Sequence, residues 1–536
     1  MSSTVEPSEA SVSPGALDDF LADAARILGS ANVIRTEREC RLYSTDFSEV
    51  ELATAAAIVR PHSTGDVVAL VKAANRHRVP LAPRGGGMSY TLGYVPARPG
   101  TVLLDMTAMN RILEINVEDL RVTVEPGVTW KQLHEALRPT GYYVPFVGTF
   151  SGERATVGGG LGNNAVGHGG TDIGEHLLGM EVVLPDGRVL QTGARAHAPR
   201  EPIVRGYGPD FTGVFVHDAG AFGIKTQASF RLVRRPRATA YRTYGFSSEE
   251  TLVKAICAAA RLGTATEIFS FGEYHHRLFA GQPKPPPTEA AALAKAVLAN
   301  APSRMRGLMH LGTLARGMRF LLRWPYSLTV TVDSHSVRGA DECAQEIDRV
   351  MQGLGGRRLP PSLGIALRAQ PFFRIGTLMV GLDGASSFPS NFSVPLSRAQ
   401  ELVAEARAFF EDNAGEMRRH GVYVATIFIS WKGIFGMEPI IFWPDRLNPL
   451  RFETALPQIR EAFGGQQARP ETRAYAVDLR RRLVDRLQHL APAHFQIGKF
   501  YPYREAVAGH AGWDLIEDFK KRLDPAGLIN PGALGL

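Results

Sequence analysis

Pro83-Arg84-Gly85-Gly86-Gly87-Met88-Ser89 follows an apolar run, Val79-Pro80-Leu81-Ala82, and precedes another, Thr101-Val102-Leu103-Leu104-Asp105. Three successive glycines leave no Cβ between the backbone and a ligand. Their N–H groups can converge on an anion, and a pyrophosphate is the natural guest. Glycine clusters also mark plain surface turns, so the rest of the chain decides between the two readings.

A chain of 536 residues is too long for one hydrophobic core, and two domains are expected. Hydrophobic residues at 44% and charged residues at 21% suit a soluble globular protein. Among the 55 glycines, clusters stand at 85–87, 158–170 and 206–223, which suggests ligand loops rather than a linker. A net charge of +7 is mild, and no Lys/Arg block has the density of a nucleic-acid arm, so nucleic acid is not an expected partner. The excess suits an acidic substrate or an anionic surface. Cys40, Cys257 and Cys343 stand apart with no CxxC, so neither a disulfide framework nor a zinc or other metal site is indicated. A reducing, cytoplasmic location fits. Residues 1–14, rich in Ser, Glu and Pro, are expected to be a disordered leader without a signal pattern. No run of about 18 apolar residues is present, so no transmembrane segment is expected.

Apolar residues from Leu17 to Leu28 recur at helical spacing. Ala56-Ala57-Ile58-Val59-Arg60-Pro61 reads as a strand, and Ser63-Thr64-Gly65-Asp66 caps a helix burying Val67, Val68, Leu70, Val71 and Ala74. Short strands follow at 112–116 and 121–125, then a helix from Val128-Thr129 through Leu137. Leu178 to Leu190 reads as a hairpin turning at Asp186-Gly187. After Arg234-Arg235-Pro236 the pattern becomes strand (241–246), helix (Ser247 and Glu250 as a capping box), strand (328–332), helix (341–351), which suggests a second α+β domain with an antiparallel sheet. Met305 to Trp324 reads as a basic helix, and 422–431 with 437–443 as a paired hairpin.

Gly160-Leu161-Gly162-Asn163-Asn164-Ala165 fits the dinucleotide pattern G-x-G-x-x-A, with Glu181 about twenty residues on. No buried strand precedes it, and Gly167, Gly169 and Gly170 cannot sustain a crossover helix. A Rossmann domain is therefore rejected.

A longer ordered set accounts for more of the chain: Pro-Arg-Gly-Gly-Gly, Glu125-Pro126-Gly127, Thr156-Val157-Gly158-Gly159-Gly160-Leu161-Gly162-Asn163, Glu181 to Gly187, and Gly220-Ala221-Phe222-Gly223-Ile224. With Leu523-Asp524-Pro525 to Asn530-Pro531-Gly532, it resembles the vanillyl-alcohol-oxidase/p-cresol-methylhydroxylase flavoprotein family. The resemblance covers roughly residues 55–235 and 510–536 strongly and the region between weakly. It implies an α+β fold: a two-part FAD-binding domain (15–236), a cap or substrate domain with an antiparallel sheet (237–500), and a C-terminal segment (501–536) returning to the first domain. It also implies an oxidoreductase in which FAD takes hydride from a substrate carbon.

Under the resemblance, Pro83, Arg84, Gly85, Gly86, Gly87, Met88 and Ser89 wrap the pyrophosphate. Pro126, Gly127, Thr156, Val157, Gly158, Gly159, Gly162, Asn163, Gly167, Gly220, Gly223, Ile224 and Asn530 line the rest. Many members attach flavin through a histidine after the first glycine loop; Met88 stands there, and Phe388-Pro389 stands at the other common attachment place. Non-covalent FAD is favoured.

The branch acting on para-substituted phenols is the nearest in pattern. Tyr503-Arg504 falls where a Tyr-Arg pair holds the phenolate oxygen there, and Tyr90 lies near a second phenolate-binding tyrosine. That branch places an aspartate after the second glycine loop. Here Ala165-Val166-Gly167 takes its place, leaving His168 as the nearest candidate base, or as a loop residue bonding backbone or flavin. His494 and Lys499 are expected on a strand, as polar edge residues or as groups delivered to the site. A D-2-hydroxy-acid dehydrogenase is the alternative, its carboxylate substrate held by Lys499 and Arg504. A third reading lays the basic helix 305–324 on anionic lipid, peripheral to the membrane, with electrons passed to a quinone. Dioxygen, a quinone and a cytochrome all stay open as acceptor, as does a homodimer.

Overall fold

The computed structural model describes residues 12–50, 52–167, 171–197, 201–281, 286–372 and 379–536. Most of the expected leader lies outside them; within them Ser13 already caps a helix, Pro14–Leu28.

The residues flanking the triple glycine form a compact strand–helix–strand unit. The Ser63 hydroxyl accepts a hydrogen bond from the Asp66 N–H at 3.1 Å and starts the helix Thr64–His77, which buries Val67, Leu70, Val71 and Ala74. Strand Leu81–Arg84 pairs in parallel with Val102–Asp105, and that strand with Ala57–Val59. Val33–Ile34 closes the edge antiparallel to Ala57–Val59. Parallel strands covered on both faces need unbroken apolar runs, as 57–59 and 102–104 supply. A second sheet is antiparallel, in the order Ile112–Asn116, Arg121–Val124, Ile224–Arg231, Leu177–Val183, Val189–Gln191. Its hairpin turns at Gly187, whose φ of +85° is the freedom an Asp-Gly turn requires.

Beyond Pro236 the chain builds an antiparallel sheet of eight strands among the described residues. In spatial order these are Arg357–Leu359, Ala238–Phe246, Tyr326–Ser334, Glu267–Gly272, Tyr423–Trp431 and Ile434–Trp443, with Ser386–Pro389 and Phe392–Pro395 both on the last. Helices Glu249–Leu262 and Val337–Gly353 cover one face and bury Ile268, Leu328 and Val330. Alternation puts Phe269, Phe271 and Ile429 on the other face. The fold is thus α+β, with the antiparallel cap that the strand–helix repeat implied.

Several local expectations change. Ser248, not Ser247, caps the helix after strand 238–246. The basic stretch 305–324 breaks into a helix, Arg304–Ala315, and a 3-10 turn, Arg319–Arg323, around Gly317 at φ +68°. The glycine tract winds into a short helix, Val157–Asn163, that stops at Asn164 in the left-handed region. His494–Lys499 is not a strand, because Gly498 at φ +62° turns the chain and the Lys499 N–H donates to the Thr91 carbonyl at 2.9 Å.

The C-terminal segment returns to the first sheet. Leu81 N–H donates to Leu528 O at 2.8 Å, and Asn530 N–H donates to Leu81 O at 2.7 Å. Among the described residues no helix is long and apolar enough to cross a membrane, and no group of His, Cys, Asp and Glu is arranged to hold a metal.

Candidate cofactor groove and substrate cavity

Strand Leu81–Arg84 delivers the glycine loop to the mouth of a groove lined by Pro83, Arg84, Gly85, Pro126, Thr156, Gly158, Gly159, Gly162, Asn163, Gly220 and Gly223. The groove runs into a larger cavity that shares Gly85, Thr156, Gly159 and Asn163 and adds Gly86, Gly87, Met88, Ser89, Tyr90 and Gly167. Most expected cofactor residues therefore meet on one continuous surface. Gly127, Val157 and Ile224 support it from behind. Val157 and Ile224 are core residues, and Gly127 packs so tightly that a Cβ would lie 2.6 Å from Met109 O.

The glycines serve two ends. A Cβ on Gly86 would run into the carbonyl of Arg154, so Gly86 lets the loop pack on the backbone of 154–155 rather than admitting a ligand. A Cβ on Gly162 would meet nothing closer than Gly220 N at 3.9 Å and would project into the groove itself. The missing side chain leaves a cradle there. Two cations stand beside the loop. Arg84 is buried with its Nε unpartnered, its guanidinium 4.1 Å from the Tyr43 ring. Burial and then Arg84 hold the Arg154 guanidinium below its usual range. A diphosphate fits this combination of bare backbone and adjacent positive charge.

Asn530 and Lys499 seal the far wall. The Asn530 amide donates to Gly93 O (2.9 Å) and Ala219 O (2.5 Å) and accepts from Lys499 Nζ at 2.7 Å. Lys499 Nζ also donates to Val95 O at 2.7 Å, and burial lowers its pKa to about 7. With those partners Lys499 is a clamp between segments. It does not line the cavity, which corrects its expected catalytic placement.

The cavity is bounded beyond the glycines by the free face of the cap sheet. Phe269, Phe271, Ile427, Ile429 and Ile440 come from three neighbouring strands, with Phe279, Leu367, Met379 and Phe495 from the segments around them. Into this apolar wall Ile434–Trp443 places one carboxyl, Glu438, opposite Ile427 across the hairpin. Burial pushes Glu438 up to about 7 against a hydrogen bond from Tyr90 that pulls it down. Burial and then the Glu438 charge raise Tyr90 well above the usual phenol range, so Tyr90 keeps its proton. Behind Tyr90 lies Arg480, 1% exposed, donating to Tyr90 O and Pro389 O at 2.9 Å each, its guanidinium 3.7 Å from the Phe500 ring. His275 also lines the cavity, its Nδ1 unpartnered and its pKa lowered to about 3 by burial and then by His276.

Of the expected catalytic residues, Tyr90 lines the cavity and His168 lies outside the described residues. Tyr503 and Arg504 lie elsewhere. Tyr503 packs edge-on to Trp513 at 6.4 Å, and exposed Arg504 lies over the same ring at 5.7 Å. The turn at Gly498 sends the chain away from the cavity before Tyr503, so Phe495 and Gln496 are what this segment presents to it. Glu438, Arg480 and His275 were missed. For Glu438 a signal existed: it is the sole charged residue between Lys432 and Asp445, inside a strand-like run.

Residues 55–193 match the family model described as an FAD-binding domain. The chain is a flavoprotein, with FAD as its cofactor and an antiparallel cap over the cofactor groove. Its fold is that of the p-cresol methylhydroxylase type. It superposes on 4-ethylphenol oxidase from Gulosibacter chungangensis with a TM-score of 0.75 at 20% identity, covering 98% of both chains. On p-cresol methylhydroxylase with substrate bound, the TM-score is 0.73 at 19% identity, again over 98% of both. Among curated proteins it is 34% identical over 198 residues to the glycolate oxidase subunit GlcD of Bacillus subtilis, 36% of this chain and 40% of that one. It is 31% identical over 252 residues to the 4-cresol dehydrogenase [hydroxylating] flavoprotein subunit of Pseudomonas putida, 45% of this chain and 47% of that one. The aligned part is less than half the length of either relative.

Proposed function

We propose that this protein is an FAD-dependent oxidoreductase acting on an uncharged, largely aromatic substrate that carries a hydroxyl group, at a benzylic or carbinol carbon. The observation that carries the reading is the cavity wall: aromatic and aliphatic side chains around the Tyr90–Glu438 pair, with no Lys or Arg among the described lining residues. A substrate carboxylate would be desolvated there without a counter-charge, which is costly. Bound FAD supplies the hydride acceptor. The Phe269, Phe271 and Phe279 rings are suited to stack an aromatic ring and exclude water. Glu438, ionised in about half the molecules near pH 7, accepts the substrate hydroxyl proton, and Tyr90, held protonated, donates its one O–H to the Glu438 carboxylate and orients it. Arg480 fixes the Tyr90 backbone from behind.

This substrate class keeps the aromatic half of the phenol reading and drops its Tyr503–Arg504 anchor. The activities for which the fold relatives are named, 4-ethylphenol oxidase and p-cresol methylhydroxylase, favour it. A D-2-hydroxy-acid dehydrogenase is the second reading, favoured by curated relatives named for glycolate oxidase and D-lactate dehydrogenase. Anaerobic bleaching of the bound flavin separates the two without a choice of acceptor among dioxygen, quinone and cytochrome. Bleaching by benzylic alcohols or alkylphenols, and not by D-lactate or glycolate, is expected. Bleaching by the hydroxy acids alone refutes the proposal.

A further inference from the structure

On the outside of the cap, helix Arg304–Ala315 has two unlike faces. Gly307, Leu311 and Leu314 pack inward, the last two onto the cluster of Tyr241, Val297 and Ile365. Met305, Leu308 and Met309, at the i, i+3, i+4 spacing of a single face, are 69%, 59% and 64% exposed. The following turn adds Leu322, 50% exposed. Scattered exposed apolar residues are ordinary, but a contiguous group this exposed marks a contact surface.

Cations share that surface. Arg304, Arg316, Arg319 and Arg323 are exposed and form no ion pair among the described residues, whereas Arg306, on the inner side, is paired with Asp341 at 2.6 Å. Between Pro287 and Trp324 the single acid is Glu289. Long apolar side chains flanked by unpaired guanidinium groups have the pattern of a segment lying in a bilayer interface, with the apolar face among acyl chains and the arginines among headgroups. A second copy of the chain fits poorly, because a two-fold contact would set the same four arginines against themselves.

The surface is close to the cavity. Met318, in the link between the helix and the turn, packs against the cluster of Phe269, Phe271 and Leu367 that forms the cavity wall. Ser362, at the start of the helix that carries Leu367, donates to the Thr313 carbonyl at 3.1 Å. We infer that Arg304–Arg323 is a docking surface for an anionic membrane, which holds the cap and its apolar cavity against the lipid where apolar substrates or acceptors are concentrated.

The test is flotation of the flavin-loaded full chain with vesicles of phosphatidylcholine alone and of phosphatidylcholine with phosphatidylglycerol, at low and physiological salt. Binding to the anionic vesicles, absent from the neutral ones and weakened by salt, is expected. Combined Arg304→Glu, Arg316→Glu, Arg319→Glu and Arg323→Glu should reduce that binding roughly a hundredfold or more. Combined Met305→Ser, Leu308→Ser and Met309→Ser should reduce it with the charges intact. Flavin absorbance and substrate bleaching, measured on the same samples, should not change in either variant. Three outcomes overturn the inference: no flotation with anionic vesicles at low salt, flotation of both variants like the parent, or no vesicle binding together with a dimer that the serine variant dissociates. The last would make this face a contact between copies.

Discussion

Replacing Glu438 by Gln keeps the size and the hydrogen bond to Tyr90 but removes the proton-accepting group. With its pKa at about 7, Glu438 is ionised in about half of the molecules at pH 7 and about a tenth at pH 6. If it takes the substrate proton, parental kcat/KM should fall about tenfold per pH unit below 7 and level off above it. The Gln variant should lose this limb and, above pH 7, run roughly a hundred- to ten-thousandfold slower, the usual contribution of a positioned base. The same burial makes a stability prediction. Below its ordinary value of 4.5 the carboxyl is neutral in the folded and unfolded chain alike. Between 4.5 and about 7 only the unfolded chain is ionised, so the folded state binds more protons and this residue's contribution to stability falls as pH rises. The fall amounts to about 3 kcal/mol at 1.36 kcal/mol per pH unit. Thermal midpoints of parent and variant, both flavin-loaded, should therefore diverge in favour of Gln between pH 5 and pH 8. A variant that keeps the limb near pH 7, or a stability gap independent of pH, would show that Glu438 neither titrates there nor takes the proton.

Acid precipitation should leave the flavin in the supernatant, since Met88 and Pro389, not nucleophiles, line the cavity at the two common attachment places; a yellow pellet refutes non-covalent binding. Gly162→Val should fold but bind little FAD, because its side chain enters the groove, while Gly86→Val should fail to fold, because its side chain meets the Arg154 backbone; absorbance at the flavin band and circular dichroism distinguish the two. Arg504→Ala should keep its kcat/KM on every substrate that bleaches the flavin, as expected of an exposed residue stacked on Trp513, and a loss of ten- to a hundredfold, about 1.5–3 kcal/mol, would restore the anchor role.

The cofactor half of the fold was legible because its signals are local. Glycines that must approach backbone, the Asp186-Gly187 turn and the Ser63 cap each fix a geometry within a few residues. The substrate half was not, because its geometry depends on partners far apart in sequence. Tyr503-Arg504 looked right as a pair of residue types, but a single left-handed glycine, Gly498, decides which residues of that segment reach the cavity. Glu438 gains its significance from Tyr90, and Arg480 from Tyr90 and Pro389, contacts that no spacing along the chain announces. The 494–499 strand failed for a related reason. Alternation alone cannot tell a strand from an extended segment whose hydrogen bonds go to a loop such as 91–95.

The Leu81 pairing with Leu528 and Asn530 has a consequence for how the protein is made. The wall of the cofactor groove at Gly93 is held by a side chain 437 residues later in the chain. During synthesis the glycine loop emerges early and waits, with its sheet edge unpaired, until the whole cap has been translated. The cofactor half cannot be completed by its own sequence, and a ribosome that stalls in the cap releases a chain with an open edge rather than a functional flavin domain. The Asn530 side of the groove wall is therefore set in place only after the cap has been made.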